Sequence, residues 1–162
     1  MITLEQYLGP WAEHADATPE RIEAAKDLLG RVNALLIELE LAGVPLEVNP
    51  RTQSMVSGHG LGGFRPQGTS IGAARSKHKE GRAVDLYDPH REIAKWCVVH
   101  ARTACSALDK PDRLGAAGLS MEDPRWTPSW CHLQSVPPAS GRAVFVPSNS
   151  PPLASALPGQ QT

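Results

Sequence analysis

Two short stretches concentrate the side chains of this chain that could do chemistry. They are Ser76-Lys-His78-Lys-Glu-Gly81-Arg-Ala-Val-Asp85 and Trp130-Cys-His132-Leu-Gln134. His78, Asp85 and His132 together offer two imidazoles and one carboxylate, the donor set of a three-ligand zinc site. Such a site keeps its fourth position free, as catalytic rather than structural zinc does. Zinc held this way lowers the pKa of a bound water to about 7, which makes a hydroxide nucleophile available at neutral pH.

The local patterns show how these donors could converge. His78 falls on a turn, Gly81 lets the chain bend tightly, and a strand over 82–87 carries Asp85 back past it. Period two puts Ala83, Asp85 and Tyr87 on one face of that strand, with Val84 and Leu86 on the other. In a second strand, 130–136, Trp130, His132 and Gln134 share a face while Cys131 and Leu133 point into the core. Asp85 then faces outward beside the small Ala83, where His78 and His132 can meet it. The same residues also admit a plainer reading: His78 capping a turn, Asp85 paired with Arg75 or Arg82, and His132 a hydrogen-bonded core histidine.

The remaining pattern supplies a scaffold. Thr18-Pro19-Glu20 reads as a helix start, with Thr as cap, Pro at the first helical position and an acid at the positive dipole end. Apolar residues then recur from Ile22 to Leu39 at helical spacing, and Gly43 and Pro45 end the run, giving a core-covering helix over 19–42. Pro45–Asn49 alternates like a short strand. Residues 51–81 are a long glycine-rich segment, a length of loop that is usually functional or disordered. Asp88-Pro89 opens a second helix, 89–108, with Ile93, Trp96, Cys97 and Cys105 on its apolar stripe. Residues 114–120 read as a short strand or loop, and 143–146 as a last edge strand. The fold expectation is α+β, a small antiparallel sheet packed against two main helices. One domain spans 1–147, and the uncharged Pro/Ser/Ala/Gln-rich 148–162 is a disordered tail.

Composition narrows the function classes. With 162 residues the chain fits a single core. A formal charge of −1 and a pI near 6.6 provide no global basic field for nucleic acid or an anionic membrane. No run approaches the roughly 20 apolar residues of a spanning helix, so membrane insertion is not expected. Three cysteines, none in CxxC or finger spacing, read as buried free thiols made in a reducing compartment. The N-terminal MITLEQYLGPW shows neither a basic nor an apolar signal region. Gly58, Gly60, Gly62 and Gly63 are not a phosphate loop, since no Lys-Ser/Thr or helix follows. Neither a GxSxG elbow nor an HExxH helix occurs.

The pattern Ser76-x-His78-x-x-Gly81-x-Ala83-x-Asp85, followed by Trp130-x-His132, resembles the LAS-type zinc peptidases of peptidoglycan. These are D-Ala-D-Ala carboxypeptidases and dipeptidases and phage L-alanyl-D-glutamate endopeptidases, with a Hedgehog-like fold. Upstream, Val56-Ser-Gly58 and Gly63-Phe64-Arg65-Pro66 are similar to that family's SGYRP-type element. The likeness covers roughly residues 45–136. It implies zinc on His78, Asp85 and His132, with Arg65 orienting substrate and polarising the scissile carbonyl. It also implies a peptidoglycan stem peptide as substrate. With no readable signal, it suggests a phage product, made in the host cytoplasm and acting at the cell wall as an endolysin or within the virion beside other virion proteins.

One departure from the family pattern matters. The family places its catalytic Glu three residues before the last His, or a His two before it, and those positions hold Ser129 and Trp130 here. Amide hydrolysis still needs a group that takes a proton from water and gives it to the amine. The nearest acids are Glu122 and Asp123, and two prolines make 122–130 a rigid excursion that could fold Glu122 over the metal. Glu122 is therefore the candidate base; without one, the chain is a zinc-binding but inactive virion or wall-binding protein. Trp126 and Trp130 are candidates for stacking on substrate. Ser76 and Gln134 are candidates for orienting the ligands by hydrogen bonds.

Overall fold

The computed structural model describes residues 1–73, 75–101 and 112–147. The long helix forms as its pattern predicts. Helix α2, Pro19–Leu41, starts at Thr18 with Pro in its first turn and buries Ala25, Leu28, Leu29, Val32, Leu35, Leu36 and Leu39. At its end Val44 N–H bonds Leu39 O, with Gly43 at φ +74°, the left-handed exit a glycine makes without strain. Ahead of it lies an unexpected short helix, α1 (Leu4–Leu8). A reciprocal Thr3/Gln6 capping box closes its start, satisfying orphan N–H groups that five residues could not satisfy otherwise.

The sheet contains β1 (Ala83–Tyr87), β2 (Ser120–Glu122), β3 (Trp130–Gln134) and β4 (Val144–Phe145) in the order β1-β3-β2-β4. β3 is antiparallel to both β1 and β2, whereas β4 is parallel to β2. The all-antiparallel expectation thus fails at one edge, for a simple reason. The place beside β3 is taken by β2, so the chain that reverses after Pro137-Pro138 must use the far edge of β2 and run in its direction. Val84, Leu86, Met121, Cys131 and Leu133 are fully buried on the core face, as period two requires.

Other boundaries differ from the sequence reading. Residues 45–49 form no strand; Asn49 alone bridges Ser54. Its buried side chain donates to Val56 and Gly58 carbonyls and accepts from Arg51 N–H, so Asn turn chemistry outweighs the alternation. Helix α3 runs Glu92–His100, three residues later than expected, after Arg91 at φ 60°. Asp88 still caps it from a distance, its carboxylate accepting from Ile93 and Ala94 N–H. Residues 113–120 split into a short helix α4, Arg113–Ala116, capped by Asp112, and the start of β2. The expected continuation of the second helix to 108, Cys105 and the tail 148–162 lie outside the described residues.

The glycine-rich segment packs along β1 as an irregular edge. Tyr87 N–H bonds Met55 O, Ser57 N–H bonds Asp85 O, and Asp85 N–H bonds Gly62 O. Such pairing satisfies an edge that would otherwise be open. No helix among the described residues is long and apolar enough to cross a membrane.

Candidate metal centre

Three elements bring the donors together. His78 sits in a 3-10 turn, Lys77–Glu80, closed by Gly81 at φ 73°. A side chain at Gly81 would lie 2.4 Å from the Arg21 carbonyl of α2, so only glycine lets the turn seat against that helix. Asp85 and His132 are direct register partners across β1 and β3. His132 Nδ1 lies 2.7 Å from Asp85 Oδ1 and 3.3 Å from His78 Nε2, and His78 Nε2 lies 3.3 Å from Asp85 Oδ1.

Two of these three spacings suit a metal, and the third, 2.7 Å, is a hydrogen bond that an ion would open. In a tetrahedral zinc site with bonds of about 2.0–2.1 Å, neighbouring donors stand about 3.3 Å apart, the separation of His78 Nε2 from both other donor atoms. His78 Nδ1 is bonded to Gly63 O at 2.7 Å, which fixes the tautomer and turns a bare Nε2 inward, as metal-bound histidines usually require. His78, Asp85 and His132 could hold a metal ion, and they are the one such cluster among the described residues.

Electrostatics fit the same role at His78 and Asp85, whereas His132 leans toward its charged form, which a metal would have to displace. Burial pushes His78 below its ordinary pKa, against the charge of Asp85, and so favours the neutral ligand form. Burial also acts to raise Asp85, but His78 and hydrogen bonds from His132 and His78 hold it well below the carboxylate range. For His132, burial acts downward. The hydrogen bond and charge of Asp85, the charge of Glu122 and a hydrogen bond with Gln134 outweigh it and raise the pKa.

Arg65 is buried and donates from Nη2 to Asp85 Oδ2 at 2.8 Å; its Nε donates to Leu61 O, and its backbone N–H to His78 O. Glu122 ends β2, and the register Ser120↔Gln134, Met121↔Leu133 continues to set it opposite His132. Asp85, His132 and Glu122 therefore form a row across one face of the sheet. Glu122 arrives on a strand, not through the proline-bounded excursion. Burial raises its carboxyl pKa, assisted by Asp85 and Asp123 and opposed by His132.

Gln134 and Trp130 share that face, opposite Ala83 and Tyr87. Ser76 departs from its expected role. It begins the turn that carries His78 and, among the described residues, bonds only through its backbone, to Ala73 O and from Lys79 N–H. The carbonyl of Gly63 orients His78 instead. Trp126 is half-buried in the turn after Asp123, its indole N–H without a partner among the described residues. Of the remaining histidines, His14 approaches Asp16, His90 approaches Glu47 and His100 stacks on Trp96.

No protein-family model, curated protein or solved structure matches this chain. Two contributors to the site escaped the sequence reading. The Gly63 carbonyl is a backbone group with no side-chain signature. Phe145 stands edge-on to His132, ring centres 6.4 Å apart, and only the crossing of β4 past β2 places it there.

Proposed function

We propose that the protein is a zinc-dependent peptidase that hydrolyses stem-peptide amide bonds of peptidoglycan. The observation that carries this reading is the convergence of His78 Nε2, His132 Nδ1 and Asp85 Oδ1, with His78 Nε2 at zinc-like spacing from both others and His132 hydrogen-bonded to Asp85 at 2.7 Å, beside a half-buried acid. The likeness of the Ser76–Asp85 and Trp130–His132 patterns to LAS-type peptidases supplies the substrate class. Zinc held there would supply Lewis acidity, activating water and polarising the scissile carbonyl.

The chain's own residues would do the rest. Glu122, its pKa raised by burial, takes the proton from the attacking water and returns it to the leaving amine. Arg65 Nη1 carries no hydrogen bond among the described residues and lies where a side chain at Gly72 would come within 2.9 Å. It is the spare donor for a substrate carbonyl or carboxylate, while Nη2 steadies Asp85. Trp130 and Tyr87 flank the same face and can pack against the peptide.

A second reading has one observation behind it. Position 129, three before His132, is an exposed serine whose carbonyl bonds Asp88 N–H, so a metal-binding but inactive virion or wall-binding protein is the alternative. Incubation with purified peptidoglycan separates the two. The peptidase releases new amines, and chelator or His78→Ala abolishes the release. A binder co-sediments with walls and releases none.

A further inference from the structure

Beside β1, on the edge away from β3, α1 and the glycine-rich segment enclose a groove of about 610 Å³, within the range of small-ligand sites. Its walls are built, not left over. Phe64 N–H bonds Tyr7 O, and Trp11 Nε1 donates to Gly60 O. A side chain at Gly63 would stand 1.9 Å from Tyr7 O, and one at Gly60 would stand 2.6 Å from the Pro10 ring. The close approach of the two backbones is therefore possible only with glycines at these positions.

The chemistry of the lining narrows the ligand. No Lys or Arg lines the groove, so nothing there compensates a phosphate or carboxylate. Thr3 and Gln6 spend their side chains on the cap of α1, and Ser54 Oγ accepts from Val56 N–H. The Glu5 carboxylate and the Ser57 hydroxyl stay uncommitted among the described residues, and the Thr52 hydroxyl makes only a long 3.4 Å bond there, to Val56 O. A carboxylate acceptor, two hydroxyls and the apolar ring of Pro10 suit a neutral ligand rich in hydroxyl donors with apolar C–H faces.

Two residues of the groove's lining, Ser57 and Gly63, bond to residues of the metal centre. Ser57 N–H bonds Asp85 O, and Gly63 O holds His78. We infer that this groove is a saccharide subsite, which seats the glycan strand next to the peptide presented to the metal centre. The inference deepens the peptidoglycan reading and rests on it for the link between glycan and peptide, but binding itself needs no metal.

The test is titration of a chitotetraose solution into the full chain in the presence of chelator, followed by calorimetry and backbone NMR. Saturable binding is expected, with shifts confined to residues 3–10 and 52–63. Glu5→Ala should weaken it about tenfold, near the worth of one charge-assisted hydrogen bond. Thr52→Trp, which fills the groove, should abolish it. In the zinc-loaded protein Thr52→Trp should slow release of amines from intact walls but leave hydrolysis of a free stem peptide unchanged. Absence of saturable binding, or binding indifferent to both variants, overturns the subsite. Glu5 is exposed, so that arm survives even if Thr52→Trp does not fold. Glycan binding without any hydrolysis would instead retire the peptidase and keep the subsite.

Discussion

Arg65 donates to one oxygen of Asp85 at 2.8 Å, while the other oxygen of that carboxylate faces both imidazoles at 2.7 and 3.3 Å. The two oxygens thus have separate duties. The guanidinium occupies Oδ2 and leaves Oδ1 as a one-point donor for a metal. Both side chains are about nine-tenths buried, so the pair cannot be broken cheaply.

Removing the cation tests that division. Arg65→Ala leaves a buried carboxylate with only histidines for company and should cost the metal-free protein about 3–5 kcal/mol. Zinc, by neutralising Asp85, should recover part of the loss. Denaturant unfolding with chelator and with zinc measures both numbers.

The metal-free protein should also show a dome of stability against pH. The groups facing the centre are Asp85 from β1, His78 from the 3-10 turn, Glu122 from β2, and Arg65 and Gln134. His132 is raised in the folded state, so its contribution is full below about 6.5 and is lost as pH climbs through the folded value. His78 is lowered, so its contribution is full above about 6.5 and is lost as pH falls toward the folded value. Asp85, held low, withdraws stability only in strong acid, below about 4. Thermal unfolding in chelator should peak near neutrality. His132→Gln should flatten the alkaline limb, and His78→Gln the limb just below it.

Glu122 is expected to act on turnover and not on metal retention. Glu122→Gln keeps the size of the side chain opposite His132 but removes its proton acceptor. Amine release should fall by about 10²–10⁴-fold while zinc stoichiometry stays unchanged. Loss of metal together with activity would assign Glu122 a ligand role instead.

Two glycines with similar positive φ give a matched structural test. Gly141, at φ +66°, has open space around an added side chain, so Gly141→Ala should cost about 1–2 kcal/mol from conformation alone. Gly81, at φ +73°, would drive that side chain into the Arg21 carbonyl. Gly81→Ala should therefore cost clearly more than its counterpart and weaken metal binding by shifting His78. Equal losses would mean that the turn does not rest on α2.

The donor set was legible in the sequence because it sits on regular strands. Period two placed Asp85 and His132 on one face and sent Val84, Leu86, Cys131 and Leu133 inward, and that is where they lie. The long helix was legible for the same reason, a sustained apolar period between capping signals. Glu122 was identified by its proximity in the chain, yet its route to the site was not. Three residues, Ser120–Glu122, are too few for a period to show, and their place beside β3 depends on long-range pairing. The capping box of α1 gave only a short local signal, and Asn49 overrode an alternating pattern with hydrogen bonds to carbonyls seven and nine residues away. The parallel edge strand followed from which sheet edge was already occupied, a property of the assembled fold.

Metal analysis of the purified protein addresses the core of the account most directly. Dialysed against trace zinc, the chain should retain one equivalent with submicromolar affinity; His78→Ala and His132→Ala should each lose it while remaining folded, and Asp85→Ala should lose it at a further cost in stability from the stranded Arg65. A wild-type chain that holds no stoichiometric divalent ion, or variants that bind it as well as the parent, would contradict the account at its base.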